Sequence, residues 1–408
     1  MEKKILTNDL AIGVFVCRLD RPWLDTPFMF QGFKVRLREE IALLGKYCRY
    51  VYIDTTKGKD VPTAVEQPVS EEKKHAFNRL LNTPAHSPRY PDIVPAAEEI
   101  SVAKTIHEKA SVEVTNLLHD VEHGKEINIP GAKQIVAQIV ESIIRNPDAF
   151  AWLTRLKTSD SYTYKHCLDV CVLASTFGRH IGLPKEDLSK LGLAALLFDI
   201  GKLKLPQELL NKTGQLTENE VAVMRSHVRH SVQVLSQTKG VTQDIIEAVR
   251  CHHERHDGSG YPRRLMGEKI PFLGRIVAIC DVYDALISKR CYGTQLSQLQ
   301  AIGALYEWRG TLFHKALVEQ FIQCIGAFPV GCLVEMTTGQ VGVVISQNRV
   351  LRLQPRVLLI LDHNKIRYDI SPIIDLVKDT ETDEGERLAI KTVLEPGAYG
   401  IDLNENYL

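Results

Sequence analysis

The sequence predicts a mainly α protein, a bundle of helices with a small α+β module before it and a small β-rich appendage after it. Three observations predict this. Helical periodicity dominates from about residue 96 to 328, short alternating apolar and polar runs precede it, and short β-prone runs follow it. The chain has 408 residues, about three times a typical single domain, which suits a plan of several parts.

Residues 1–57 form the first part. Ile12, Val14 and Val16, and later Tyr50 and Tyr52, sit two apart as in a half-buried strand, and a helix is expected between them from Leu37 to Cys48. Residues 58–95 shift to Pro, Glu, Lys, Ser and Thr (VPTAVEQPVSEEKK, NTPAHSPRYPDIVP) and have too few apolar residues to pack. They read as a flexible linker. Residues 96–328 should hold seven or more helices, punctuated by Asn146-Pro147, Gly182-Leu183-Pro184, Pro206, Gly214, Gly240 and Asp257-Gly258. Residues 329–408 carry CLVEM, GVVIS and RVLLILD, separated by Gly339-Gln340 and Asn364-Lys365, and read as the β-rich appendage. There is no internal repeat.

Composition excludes several classes. The chain is 44% hydrophobic and 25% charged, as globular proteins are, and fifty Lys plus Arg balance fifty Asp plus Glu. No global positive field exists to hold a nucleic-acid polymer or an anionic membrane. No apolar run approaches the roughly 18 residues of a membrane helix, so no membrane insertion is expected. Asn8 and Asp9 interrupt the start where a secretory core would stand, and the expected location is the cytoplasm. Nine cysteines without a Cys-x-x-Cys pair, Cys167 and Cys171 one helical turn apart among them, read as reduced core thiols. Nothing in the pattern fixes an oligomeric state.

The chemistry gathers in the helical block. His166 (in SYTYKHCLDVCVLAS) is level with Tyr162 and Val170 on the core-facing side of its helix. Asp199 ends the apolar run LGLAALLFDIGK, with Lys202 three positions on. A Thr217-x-x-Glu220 capping box starts the next helix, which should carry Val221, Met224, Val228, Val232 and Leu235 inward and leave His227 at least half buried. His252 continues the stripe of Ile245 and Val249, and His253 that of Ile246 and Val249. Asp281 and Asp284 share a face with Val277, and Asp281 should point inward. Any one of these histidines alone would more often be an ordinary hydrogen-bonded core residue. Together, imidazoles and carboxylates on the inward faces of separate helices suit a divalent metal centre, with Fe, Mn, Zn and Ni as candidates. The loop Asp257-Gly258-Ser259-Gly260-Tyr261-Pro262 can turn sharply and expose N–H groups to a phosphate, and Lys202 and Arg290 supply positive charge, although a plain helix-ending turn and solvated basic residues are the ordinary alternatives.

In order and wording, His166, FDIGK at 198–202, His227, HHERHDGSGYP at 252–262 and DVYDALISKR from Asp281 resemble the HD-GYP branch of the HD phosphohydrolases. The resemblance covers roughly residues 100–328. LDRPWLDTPFMFQGF also resembles the small domain of unknown role that often precedes HD-GYP domains, and FPVGCLVEMTTGQVGVV resembles their C-terminal tail. The resemblance implies a helical HD-type bundle and a bacterial signalling phosphodiesterase that hydrolyses cyclic di-GMP to the linear dinucleotide or GMP. It implies two divalent ions, Fe or Mn first and Ni or Zn next, on His166, Asp199, His227, His252, His253 and Asp281, with Asp199 shared between them. Asp199 and Lys202 match the catalytic positions, and Lys202, Gly260, Tyr261 and Arg290 the substrate-contacting ones.

Three positions depart from the family. Phe198 stands where the eponymous histidine would be, which removes a ligand to one metal; Tyr162 stands where three-metal members carry a glutamate; and Gly293 replaces a frequent basic residue. Two expectations follow: a working phosphodiesterase, or one weakened by Phe198, in which the remaining ligands and water still hold two metals; or a degenerate module that binds nucleotide or a partner such as a GGDEF-domain protein without turnover. Hydrolysis of another nucleotide such as guanosine tetraphosphate is disfavoured by the GYP loop.

Overall fold

The computed structural model describes residues 2–21, 32–60, 90–154, 162–288, 295–382 and 385–402. Most of the linker expected at 58–95 and most of LDRPWLDTPFMFQGF lie outside these residues, as do Arg290 and Gly293. The chain divides into two compact units, Met1–Ala76 and Phe77–Leu408.

In the first unit, β1 (Glu2–Leu6), β2 (Phe15–Leu19), β3 (Phe33–Lys34) and β4 (Tyr50–Asp54) form an antiparallel sheet in the order β1-β4-β2-β3. The period of two is plain in β4, where Val51 and Ile53 are buried while Tyr50, Tyr52 and Asp54 are half-buried. Helix α1 (Arg38–Tyr47) covers the sheet through Leu44. The expected alternation at Ile12 fails: Val14 and Val16 are buried, but Ile12 is exposed because the chain turns before β2 begins.

The second unit begins with α2 (Ala96–Glu122), which buries Ala103, Ala110, Val114, Leu117, Leu118 and Val121 at helical spacing. Next come α3 (Ile129–Arg145), capped by the Asn128 side chain, and α4 (Pro147–Leu153), capped by Asn146 with proline at its first position. Helices α5 (Tyr162–His180) and α6 (Lys185–Leu197) are joined by the Gly182-Leu183-Pro184 turn, where Gly182 has φ +79°. A 3-10 turn (Ile200–Lys204) and the short α7 (Gln207–Leu210) follow.

Where one helix was expected after the capping box, there are two, α8 (Glu218–Arg225) and α9 (His227–Gln237), broken at Ser226. The box itself forms, Thr217 N–H donating to Glu220 and Glu220 N–H to Thr217 Oγ1. The break turns α8 outward, so Val221 and Met224 are only half-buried, while Val228 and Leu235 on α9 are fully buried and Val232 half-buried. Helices α10 (Gln243–Cys251), α11 (Phe272–Ile287), α12 (Gln298–Glu307) and α13 (Lys315–Ile325) complete the bundle.

The three expected β-prone runs become β5 (Leu333–Met336), β6 (Val341–Ser346) and β7 (Arg356–Leu361), joined by β8 (Ile373–Asp375) and β9 (Ile390–Val393) in an antiparallel sheet ordered β8-β7-β6-β5-β9. The sheet is anchored to α4: Asp148 accepts from Gln347 N–H at 2.9 Å and from Arg349 at 2.5 Å, and Trp152 packs among Val330, Leu333, Val341 and Val343. The fold is thus mainly α with two small β modules. Among the described residues no helix is long and apolar enough to cross a membrane, and none of the described cysteines is in a disulfide.

Candidate metal centre

Helix α6 is apolar on nearly all sides, with Leu191, Leu193, Ala194, Ala195, Leu196 and Leu197 buried, so its end is driven into the middle of the bundle. There Phe198, fully buried, terminates the helix and Asp199 begins the 3-10 turn. Gly201 lets α9 come close: a Cβ at that position would lie 2.1 Å from the His227 carbonyl oxygen. Ser231 fastens the contact, accepting from Gly201 N–H at 2.8 Å and donating to the Phe198 carbonyl at 2.9 Å. Asp199 and His227 meet as a result.

The donor atoms of Asp199, His227, His252 and His253 lie within 4.8 Å of one another. The Nδ1–H of His227 donates to the Met224 carbonyl at 2.7 Å, and that of His252 to the Val249 carbonyl at 2.5 Å. A carbonyl can only accept, so both rings carry their lone pairs on Nε2. Those two nitrogens face each other at 3.4 Å, and Asp199 Oδ1 stands 3.3 Å from one and 3.8 Å from the other with no hydrogen-bond partner although buried. Three acceptors converging on one point without a donor is an arrangement a cation satisfies and a neutral core does not. Burial, against the pull of Asp199, holds His227 below its ordinary value and takes His252 down to about 4; burial and the neighbouring His252 hold His253 well below. The imidazoles are therefore neutral near pH 7, the form that binds metal.

His166 is differently placed. Its Nδ1 is 2.7 Å from Asp284 Oδ2 and its Nε2 3.0 Å from Asp281 Oδ1, with Asp199 Oδ2 at 3.9 Å. Burial works against charge on this ring, yet the hydrogen bonds to Asp281 and Asp284 carry it up to about 9. Asp281 is buried as expected, and despite burial the hydrogen bond from His166 holds its carboxyl far below the usual range. Lys202 donates to Asp199 Oδ2 at 2.5 Å; burial disfavours its charge, but the Asp199 and Asp281 carboxylates raise it overall. Phe198 lies edge-on between two imidazoles, its centroid 5.5 Å from His166 and 5.0 Å from His252.

Within the GYP loop, the N–H of Gly258 donates to the Arg255 carbonyl, that of Ser259 to Asp257 Oδ1 and that of Tyr261 to the His253 carbonyl, and just after it Arg263 and Leu265 N–H donate to the buried Glu254 carboxylate. The loop also presents a side chain. A Cβ on Gly260 would meet Arg255 N and His253 O at 2.4 Å, and this tight return stacks the Tyr261 ring on His253 at 4.7 Å between centroids. The Arg225 guanidinium covers the ring at 5.0 Å.

The structure thus gathers Asp199, His227, His252 and His253, sets His166, Asp281 and Lys202 beside them, and adds Gly260 and Tyr261 through the loop. Arg290 lies outside the described residues, and Tyr162 opens α5 but its side chain does too. Sequence reasoning left Asp284, Glu254 and Arg225 without a role. Asp284 carried a signal, a carboxylate three residues after Asp281 on one helix face; Arg225 carried none, because only tertiary packing brings it over Tyr261.

Residues 139–317 match the HD domain family, and residues 2–132 match a domain of unknown function, DUF3391. A cyclic di-GMP phosphodiesterase of Pseudomonas aeruginosa is 34% identical over 94% of this chain and 91% of its own length. The cyclic di-GMP phosphodiesterase response regulator RpfG of Xanthomonas campestris is 40% identical over 37% of this chain and 40% of its own. A 3'3'-cGAMP-specific phosphodiesterase of Vibrio cholerae is 35% identical over 40% of this chain and 31% of its own.

Proposed function

The chain belongs to the HD-GYP branch of the HD phosphohydrolases, and from that membership we propose that it is a metal-dependent phosphodiesterase acting on cyclic di-GMP, giving the linear dinucleotide or GMP. One observation carries the reading: the unpartnered Asp199 Oδ1 facing two Nε2 lone pairs in the core. Asp199, His227, His252 and His253 would hold a divalent ion; the mixed imidazole and carboxylate set suits Fe, Mn, Zn or Ni, and iron or manganese is taken from the family membership. When bound, such an ion supplies Lewis acidity toward a phosphate oxygen and an acidified water for attack.

The chain's own residues do the rest. Lys202 uses one of its three hydrogens on Asp199 and has two for the phosphate oxygens on which charge grows. His166, held at both nitrogens by Asp281 and Asp284, is oriented beside the same carboxylate. Tyr261, with Arg225 above it, offers an aromatic and cationic surface for a guanine or a second phosphate. Residues 96–328 are the catalytic part in this proposal, with 1–57, 58–95 and 329–408 as accessory parts. GGDEF-domain proteins are the partners it suggests, and the cytoplasm is the compartment it suggests, in keeping with the described cysteines, none of which is in a disulfide.

A second reading, a module that binds nucleotide or a partner without turnover, is favoured by the buried Phe198 at a ligand position. The test is hydrolysis of cyclic di-GMP, with 3'3'-cGAMP alongside, by the full chain loaded with Mn or Fe. Chelator-sensitive release of linear dinucleotide or GMP is expected. No turnover in the native chain and a gain in Phe198→His would establish the second reading.

A further inference from the structure

We infer that this chain holds one divalent cation rather than two, at Asp199, His227, His252 and His253, and that the neighbouring place beside the other Asp199 oxygen is taken by the Lys202 ammonium and closed by the Phe198 ring. The inference rests on the metal-centre reading above and adds the number of ions and what replaces the second. The two oxygens of Asp199 have opposite surroundings. Oδ1 faces only acceptors and lacks a partner, whereas Oδ2 already has the Lys202 Nζ at 2.5 Å.

A second dication on Oδ2 would have to share that oxygen with an ammonium, and like charges at such range repel. Its other donors would be His166 and Asp281, which are hydrogen-bonded to each other at 3.0 Å, while Asp284 holds the far side of the His166 ring at 2.7 Å. Position 198 would have to complete the set. It presents a ring with 0% exposure, and the ring fills the space between His166 and His252. A water cannot stand in where carbon already packs, so the deficit is not repaired by solvent. Phosphate entering the site would meet one metal charge and one ammonium, disposed on the two oxygens of a single carboxylate.

The experiment uses the full chain, stripped with chelator, reloaded with excess Mn(II), desalted and analysed for metal per chain, with electron paramagnetic resonance on the same sample. One Mn per chain with an uncoupled six-line spectrum is expected. Phe198→His should raise the content toward two, with exchange coupling between the ions. Two ions in the native chain, a coupled spectrum there, or less than half an ion per chain would overturn the inference. The native stoichiometry decides the matter even where Phe198→His fails to fold. Cyclic di-GMP hydrolysis scored on the same sample separates the two claims: one ion without hydrolysis overturns the substrate reading alone, and two ions with hydrolysis overturns the stoichiometry alone.

Discussion

Two of the carboxylates buried in the second unit, Glu99 and Asp199, have opposite surroundings. Between α2 and α3, the Glu99 carboxylate accepts from Ser142 and Arg145 on one oxygen and from Arg145 on the other. Around Asp199, one oxygen has an ammonium and the other has only imidazole lone pairs for company. Both carboxylates are almost wholly buried. The difference teaches that burial of a charge says little about function until donors and acceptors are counted: a closed set holds helices together, and a surplus of acceptors waits for a cation.

The sharpest way to break this comparison is to remove the carboxylate from each region. Asp199→Asn should lower kcat/KM for cyclic di-GMP by at least about 100-fold and deplete bound metal, since losing a supporting partner alone typically costs about 10- to 100-fold. Retention of activity within a few-fold would break the assignment. Asp284→Asn, which loosens the hold on His166 Nδ1 without touching the Asp199 cluster, should reduce turnover by about 10- to 100-fold while metal content stays constant. Metal loss in that variant would merge the two halves of the site.

Glu99→Ala strands the Arg145 and Ser142 donors and should lower unfolding free energy by about 2 kcal/mol, read from urea titration, leaving metal per chain unchanged. The smallest effect belongs to Arg225→Ala. An exposed cation over an aromatic ring contributes about 0.5–1 kcal/mol, so KM should rise by about 2- to 5-fold, less at high salt, with kcat held. A fall in kcat instead would place Arg225 deeper in the reaction than its contact with Tyr261 implies.

Much of this was legible in the residues, for physical reasons. His166, Asp199, His252 and Asp281 continue apolar stripes, and helical spacing alone places them inward. The Thr217 to Glu220 box and the Asn146-Pro147 start act within one turn of chain, where local chemistry decides. What escaped depends on distant contacts. The break at Ser226 turns α8 away from the core and strips Val221 and Met224 of full burial, although their periodicity is sound. The course of the chain just after the GYP loop depends on the buried Glu254 carboxylate collecting Arg263 and Leu265 N–H groups, a contact spanning up to 11 positions. The sequence marks Gly201 and Gly260 as glycines, but only the packing reveals that each makes room for a backbone, of α9 in one case and of the segment after the histidine pair in the other.

Whether Asp199, His227, His252 and His253 together bind a cation is decided by anomalous diffraction from crystals of the full chain grown with Mn(II). A strong peak is expected within coordination distance of Asp199 Oδ1 and the Nε2 atoms of His227 and His252. A peak bounded instead by His166 and Asp281, or no peak while Mn(II) supports turnover, would contradict it.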